Sequence, residues 1–340
     1  MNLTFAHLVS MSDERGLFEH AEYDQPRKEH GYCVDDVARA LIVIERNQTQ
    51  DPQILNLRRT YFQFIKDAQT PDGLFINRCD VNGIWNGIPE SADHWGRGLW
   101  ALGTVYKENA DRLMAAEALW RFEHGARHRG EFLRSMMFAG LGAAAVLSSA
   151  RNNRAARKLL DDAASMIEAT TSSVSKEHAN WIWPEDRLTY ANAIIPEVLI
   201  YAGHLLNDPA RLNKGLELLS WLLEIESKPT HFSVTPTNGV GPNEERKKYD
   251  QQPIEIAALV DACSTAYEIT GDPAWLLYIT RGAHWFDGLN DSNVRMYDPI
   301  SGAGFDGLTP TSRNENCGAE STVCYLSVKD QYQRHFRSLS

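Results

Sequence analysis

Apolar residues recur at helical spacing along most of the chain. The period marks segments 34–46, 52–69, 92–107, 109–126, 131–148, 152–171, 189–206, 208–226, 252–270, 273–288 and 317–333, whereas period-two alternation is scarce and short. A mostly α protein follows. Three of these segments open with the same punctuation, Asp51-Pro52, Asp208-Pro209 and Asp272-Pro273, a capping carboxylate before a proline at the first helical position. Each cap stands about 15 to 17 residues after Asp36, Asn192 or Glu255, a near-constant interval that suits repeated helical hairpins.

Six first helices of such hairpins open at Val34-Asp35-Asp36-Val37-Ala38-Arg39, Asp93-His94-Trp95-Gly96-Arg97, Met136-Met137-Phe138-Ala139-Gly140, Tyr190-Ala191-Asn192-Ala193, Gln252-Pro253-Ile254-Glu255 and Gly318-Ala319-Glu320-Ser321. They recur roughly every 43 to 66 residues, long enough for one helix pair and a loop. Their bodies are apolar on nearly all sides (Leu141 to Leu147, Ile194 to Leu206, Ile256 to Ala266), while partner helices such as 152–171 and 208–226 are amphipathic. Connections within a hairpin are short; those between hairpins run long, at about 70–91, 172–188, 227–250 and 289–315. Six inner helices within six outer ones, with segment 3–12 completing the count, predict an all-α (α/α)6 toroid in one domain, 1–340, with the inner-helix starts and long loops on one face. An open α-solenoid is the alternative, but it would have more uniform loops and less apolar inner helices.

Composition narrows the function. The chain has 340 residues, 43% of them apolar, and a net charge of −11. Its 34 basic residues are outnumbered by 45 acidic ones, and no basic run exceeds Arg246-Lys247-Lys248, so nucleic acid is not an expected partner. Five cysteines at irregular spacings, without a C-x-x-C pair, suggest neither a disulfide framework nor a zinc knuckle. The first residues lack a basic stretch followed by an apolar run, and no apolar stretch reaches membrane-spanning length; a cytoplasmic protein with no membrane contact is expected.

The predicted rim carries aromatic rings beside carboxylates and amides, as a neutral polyhydroxy ligand requires: flat faces for pyranose C–H surfaces and paired donors and acceptors for hydroxyls. Trp85 precedes Asp93, His94, Trp95 and Arg97; Trp181, Trp183, Glu185 and Asp186 precede Tyr190 and Asn192; Gln252 and Glu255 open the fifth repeat; Asp306 and Glu320 flank the sixth. Glycosidic cleavage needs one carboxyl to protonate the leaving oxygen and another to activate water or attack. Glu185 is the first choice for general acid, since a carboxyl held against apolar rings has a raised pKa. Asp93 or Asp36 is the base. Tyr32, His94, Trp95, Arg97, Trp183, Asp186, Tyr190, Asn192, Gln252, Glu255, Asp306 and Glu320 are candidates for holding substrate.

Most of these residues have an ordinary structural alternative. Asp36 and Asp93 suit helix caps, Glu185 and Asp186 a solvated turn, Glu255 the positive end of a helix dipole, Glu320 a capping box and His94 a hydrogen-bonded core position. Glu197 lies too deep for the rim and reads as a buried structural carboxylate paired with an arginine. His124 and His128 are spaced i, i+4, but no carboxylate completes a metal set, so neither a metal nor a cofactor is expected. The sequence has no G-x-x-x-x-G-K-S/T phosphate loop, no G-x-G-x-x-G after a strand, no G-x-S-x-G elbow and no H-E-x-x-H helix.

With those residues in view, the chain resembles the six-hairpin, (α/α)6-barrel glycosidase superfamily over essentially its whole length. More closely, His30-Gly31-Tyr32-Cys33-Val34-Asp35-Asp36-Val37-Ala38-Arg39-Ala40-Leu41, Ser91-Ala92-Asp93-His94-Trp95-Gly96-Arg97 and Asn316-Cys317-Gly318-Ala319-Glu320-Ser321-Thr322 resemble a bacterial family of toroids found alone or joined to glycosyltransferase domains. The resemblance implies sugar chemistry, with acid and base carboxylates among Asp36, Asp93, Glu185 or Asp186, Glu255 and Glu320. The leading expectation is a glycoside hydrolase for a small oligosaccharide. A sugar epimerase or isomerase, and a non-catalytic carbohydrate-binding toroid serving a glycosyltransferase partner, are the alternatives.

Overall fold

A computed structural model describes residues 3–174 and 181–336. Among them are twelve α-helices: α1 (Ala6–Ser10), α2 (Val34–Asn47), α3 (Pro52–Ala68), α4 (Asp93–Glu108), α5 (Arg112–Gly125), α6 (Leu133–Ser149), α7 (Arg154–Val174), α8 (Ile194–Leu206), α9 (Pro209–Glu226), α10 (Pro253–Thr270), α11 (Ala274–Phe286) and α12 (Ala319–Phe336). Two compact units divide within α7: Phe5–Ala163, and Ala164–Ser340 with Met1–Thr4. Of the expected loop 172–188, residues 175–180 lie outside the described residues.

In the N-terminal unit, α2 packs on α3 and α4, and α4 on α5 and α6. Burial separates the two kinds of helix. Every residue of α4 from His94 to Val105 is buried, whereas α5 buries only Ala118, Phe122 and Gly125. In the same way α6 is buried along nearly its whole length. A helix enclosed on all sides needs an apolar surface all round, which the sequence of α6 supplies. The C-terminal unit repeats the logic: α8 and α10 are buried almost throughout and pack on each other, α9 lies against α8, and α11 and α12 lie against α10. On α9 a single stripe, Gly215, Leu218, Leu219, Leu222 and Leu223, faces inward.

The expected caps form. Asp51 accepts from the Gln53 amide, Asp208 from those of Ala210 and Arg211, and Asp272 from that of Ala274. Asp111 caps α5 without a proline by accepting from Leu113 and Met114. The largest boundary difference is at α8, expected from residue 189 but beginning at Ile194. Ala191 there adopts a left-handed conformation, φ 47°, which interrupts the helix before it starts. Among the described residues three small antiparallel sheets decorate the loops, including Tyr32–Cys33 with Arg78–Cys79 and Trp85–Asn86. No helix among the described residues is long and apolar enough to cross a membrane. All five cysteines are buried and free.

Candidate functional site

In the N-terminal unit, the starts of α2, α4 and α6 carry a set of carboxylates and guanidiniums. Asp35 and Asp36 are adjacent on α2 and diverge, as neighbours on a helix must. Asp35 is the more accessible: its Oδ2 accepts from Asn77 Nδ2 at 3.1 Å and its Oδ1 lies 3.2 Å from Arg97 Nε. Asp36 points into the protein, where Arg39 Nη1 donates to Oδ1 and the Cys33 thiol to Oδ2 at 3.2 Å. Burial, with the Asp36 and Asp35 charges behind it, pushes the Cys33 thiol pKa well up. Both oxygens of Asp36 are therefore engaged, and the residue is 4% exposed. The structure revises the expectation for this pair: Asp36 is an internal anchor, and Asp35 is the member that solvent reaches.

Asp93 occupies the first turn of α4, half-exposed, where a carboxylate complements the positive end of the helix dipole. The Ser135 hydroxyl of α6 donates to its Oδ1 at 2.8 Å. On the turn that begins α6, Phe132 is 65% exposed, an unusual position for a phenyl ring. Neither Ser135 nor Phe132 stood out in the sequence. A serine and a phenylalanine at an apolar helix start carry no motif, although an aromatic residue immediately before an inner-helix start is a usable signal.

The tryptophan and histidine of the same stretch belong to the core. Trp95 is fully buried and donates from Nε1 to the Gly125 carbonyl at 3.2 Å, so its ring has no face for a sugar. His94 is 3% exposed, with Nε2 bonded to the Phe75 carbonyl at 3.0 Å. Tyr32 is buried and donates to Asp13 at 2.6 Å; desolvation, then that bond, pushes its hydroxyl pKa up. Arg97 is buried too, its guanidinium 3.7 Å from the Phe138 ring centroid. It positions Asp35 rather than meeting a ligand.

Glu19, Cys33 and Asp36 bring three ligand-type atoms within 4.8 Å of one another. Their charge is already matched, because Arg78 grips Glu19 with both terminal nitrogens and Arg39 holds Asp36. A thiol raised in pKa is also a poor metal ligand.

In the C-terminal unit, Trp183 is fully buried and stacks on Trp221 of α9, with Trp181 edge-on to the same ring. Trp183 is a wall of the core, so the expectation that it stacks on substrate fails. Trp181 Nε1 donates to the Glu185 carbonyl at 2.6 Å, which fixes the backbone of the half-buried Glu185 beside this cluster. Asp186 and Tyr190 are exposed. Leu188 pairs with Val240, and Arg187 bonds Glu244, pinning the loop.

Glu255 and Asn192 are consumed by each other. The Glu255 carboxylate accepts from the Ala191 amide at 2.5 Å, from the Asn192 amide at 3.2 Å and from Asn192 Nδ2 at 3.1 Å. Both are buried, and they hold the left-handed turn before α8. Asp306 similarly caps α12 from a distance, accepting from the Gly318 amide at 2.8 Å and the Ser321 hydroxyl at 2.6 Å. A substrate-binding role does not fit these three positions. Gln252 and Glu320 are half-buried at the starts of α10 and α12. Glu197 is buried as expected, and where an arginine was expected the Thr265 hydroxyl donates to it at 2.9 Å.

No family model and no curated protein sequence matches the chain. Solved structures do. A sugar epimerase from a ruminal bacterium superposes with a TM-score of 0.74 at 13% identity, covering 99% of this chain and 96% of that one. A cellobiose 2-epimerase from Spirochaeta thermophila gives 0.71 at 13%, over 99% and 95%. An alpha-mannanase from Bacteroides thetaiotaomicron gives 0.64 at 10%, over 95% and 91%. The likeness shows the fold: the chain is an (α/α)6 toroid, as the hairpin count predicts.

Proposed function

We propose that this toroid is an enzyme acting on a small carbohydrate, and that it cleaves a glycosidic bond with carboxyl groups at the inner-helix starts. The observation that carries the reading is Asp93, half-exposed at the first turn of α4 with one oxygen oriented by Ser135. Cleavage requires an ionised carboxylate to activate water or attack, and Asp93 is assigned that part. The proton donor is a second carboxyl group; in the C-terminal unit, taken by itself, Glu185 is the candidate, half-buried in a loop whose backbone Trp181 holds. Within the N-terminal unit Phe132 and Asp35 retain enough exposure to contact a sugar; within the C-terminal unit, taken by itself, Asp186, Tyr190, Gln252 and Glu320 do. Free cysteines throughout are consistent with work in the cytoplasm.

A panel of disaccharides and nitrophenyl glycosides, followed by product chromatography, tests this. Turnover is expected, and it should be lost in Asp93→Asn and in Glu185→Gln. Full activity in both variants overturns the assignment.

One observation favours a second reading: two of the superposing structures are a sugar epimerase and a cellobiose 2-epimerase. Epimerisation moves a proton on carbon, so incubation in heavy water would place deuterium on an intact sugar. His94 is ill placed for that proton transfer, being buried against the Phe75 carbonyl. A non-catalytic toroid, with or without a glycosyltransferase partner, would bind oligosaccharide in a calorimeter and release no product.

A further inference from the structure

Outside the carboxylate set, two histidines stand in an arrangement that the proposed chemistry does not use. His20 and His30 close a ten-residue excursion whose backbone is tied at several points. The Arg27 amide donates to the His20 carbonyl at 2.8 Å, the His30 amide to the Arg27 carbonyl at 3.0 Å, and the Glu19 amide to the Gly31 carbonyl at 3.2 Å. Between them Ala21–Glu22 pairs with Gln25–Pro26 as a two-stranded ribbon. Gly31 completes the device: its φ is 67°, and a Cβ there would meet the Cys79 carbonyl at 2.4 Å, so only glycine brings the chain this close.

The result is an imidazole pair with Nδ1 facing Nδ1 at 3.2 Å, ring centroids 5.0 Å apart and planes at 72°. A straight N–H···N hydrogen bond would hold the centroids about 5.5 Å apart at this nitrogen separation, because both lone-pair directions would lie along the N–N line. The observed rings are bent inward. For two imidazoles converging symmetrically, these two separations place the meeting point about 2.0 Å beyond each nitrogen with an angle of about 100°, the distance and angle of two histidines on a tetrahedral zinc ion.

Glu19 Oε2 lies 3.7 Å from His20 Nδ1 and Glu29 Oε1 3.9 Å from His30 Nε2, but Arg78 holds Glu19 and Arg27 holds Glu29, so the two imidazoles and not the carboxylates make the site. Both rings are open to water, which can fill the remaining positions.

We propose that His20 and His30 chelate a divalent transition-metal ion, of the zinc, nickel or copper class, through their Nδ1 atoms. Two imidazoles without a compact oxygen cage select such ions over magnesium or calcium. The pair neighbours the start of α2, since Glu19 reaches both His20 and the Cys33–Asp36 group, and it stands whether or not the chain cleaves sugars.

The test uses the full chain, stripped with a chelator and desalted. Titration with zinc chloride in a calorimeter should show one site, weakened at least about tenfold in His20→Ala and in His30→Ala but unchanged in His124→Ala, while magnesium and calcium chloride give no binding. Electron paramagnetic resonance of the unmodified chain with one equivalent of copper should show coupling to two imidazole nitrogens, a readout independent of any variant. Zinc binding weaker than about 1 mM, an affinity in either histidine variant equal to that of the unmodified chain, equal binding of calcium, or a copper spectrum without two imidazoles overturns the proposal.

Discussion

Ser135 on α6 donates its hydroxyl to Asp93 on α4 across 2.8 Å, joining two inner-helix starts through a carboxylate that solvent also reaches. A bond to a charged acceptor contributes about 1.5–3 kcal/mol, and here it fixes which oxygen faces outward. Asp93→Asn keeps the shape and removes the charge, so kcat on a cleavable glycoside should fall about a hundredfold or more. Ser135→Ala frees the carboxylate to rotate and should lower kcat about tenfold with little change in KM. A change confined to KM in the serine variant would show that the bond does not orient a reacting group.

Phe132 precedes Ser135 by one helical turn and is 65% exposed. Phe138 on the same helix is fully packed, whereas Phe132 leaves its ring to solvent, where an apolar face marks a binding surface. Stacking of a ring on a sugar face is on the order of 0.5–1.5 kcal/mol. Phe132→Ala should therefore raise KM for a pyranoside about two- to tenfold and leave the melting temperature and kcat nearly unchanged. Steady-state kinetics and a thermal melt on the same preparation read all three quantities.

The hairpins were legible because their signals are local. Asp-Pro caps, all-round apolar inner helices and one-sided outer helices each follow from the surroundings of a single element. The site was less legible because a carboxylate at a helix start looks the same whether it meets a ligand, an arginine or an amide. Glu255 shows the difficulty: its partners, the Ala191 and Asn192 amides, are more than sixty residues away in sequence. Trp95 and Trp183 failed as sugar platforms for a related reason. Their rings fill space between helices, and burial depends on neighbours that hydropathy along one segment does not specify. Asp35 and Asp36 could be divided by helix geometry, but which faced solvent depended on Arg39, Arg97 and Asn77 together.

Gly103 and Gly142 bring α4 and α6 to backbone contact. A Cβ at position 103 would lie 2.3 Å from the Gly142 carbonyl oxygen, and one at position 142 would lie 2.5 Å from that of Leu99. Neither obstacle is a side chain that can swing away. Gly103→Ala must separate the two helices, and it should destabilise the chain by about 1–3 kcal/mol or more despite alanine's better helix propensity. Because Asp93 and Ser135 lie on these same two helices, the variant should also lose activity below its melting temperature. Urea denaturation together with kinetics at 25 °C checks both, and an unchanged midpoint would show that the helices adjust freely.

Glu45 sits fully buried near the end of α2, with Asn109 Nδ2 2.7 Å from Oε1 and Arg58 Nε 3.5 Å from the same atom. Burial outweighs the attraction of Arg58 and pushes its pKa up to about 7 from an ordinary 4.5. The folded state therefore holds a proton that the unfolded state releases. Stability from this group is fully present below about pH 4.5 and is lost as pH rises through about 7, a contribution on the order of 3 kcal/mol at most. Glu45→Gln keeps the volume and cannot titrate, so its stability should lack this downward slope even if losing Arg58's partner lowers the whole curve. Urea midpoints at about pH 5 and about pH 8 should differ less in the variant than in the parent chain. Parallel pH profiles would mean that Glu45 is charged in the folded protein across the whole range, with Arg58 as an effective counter-ion.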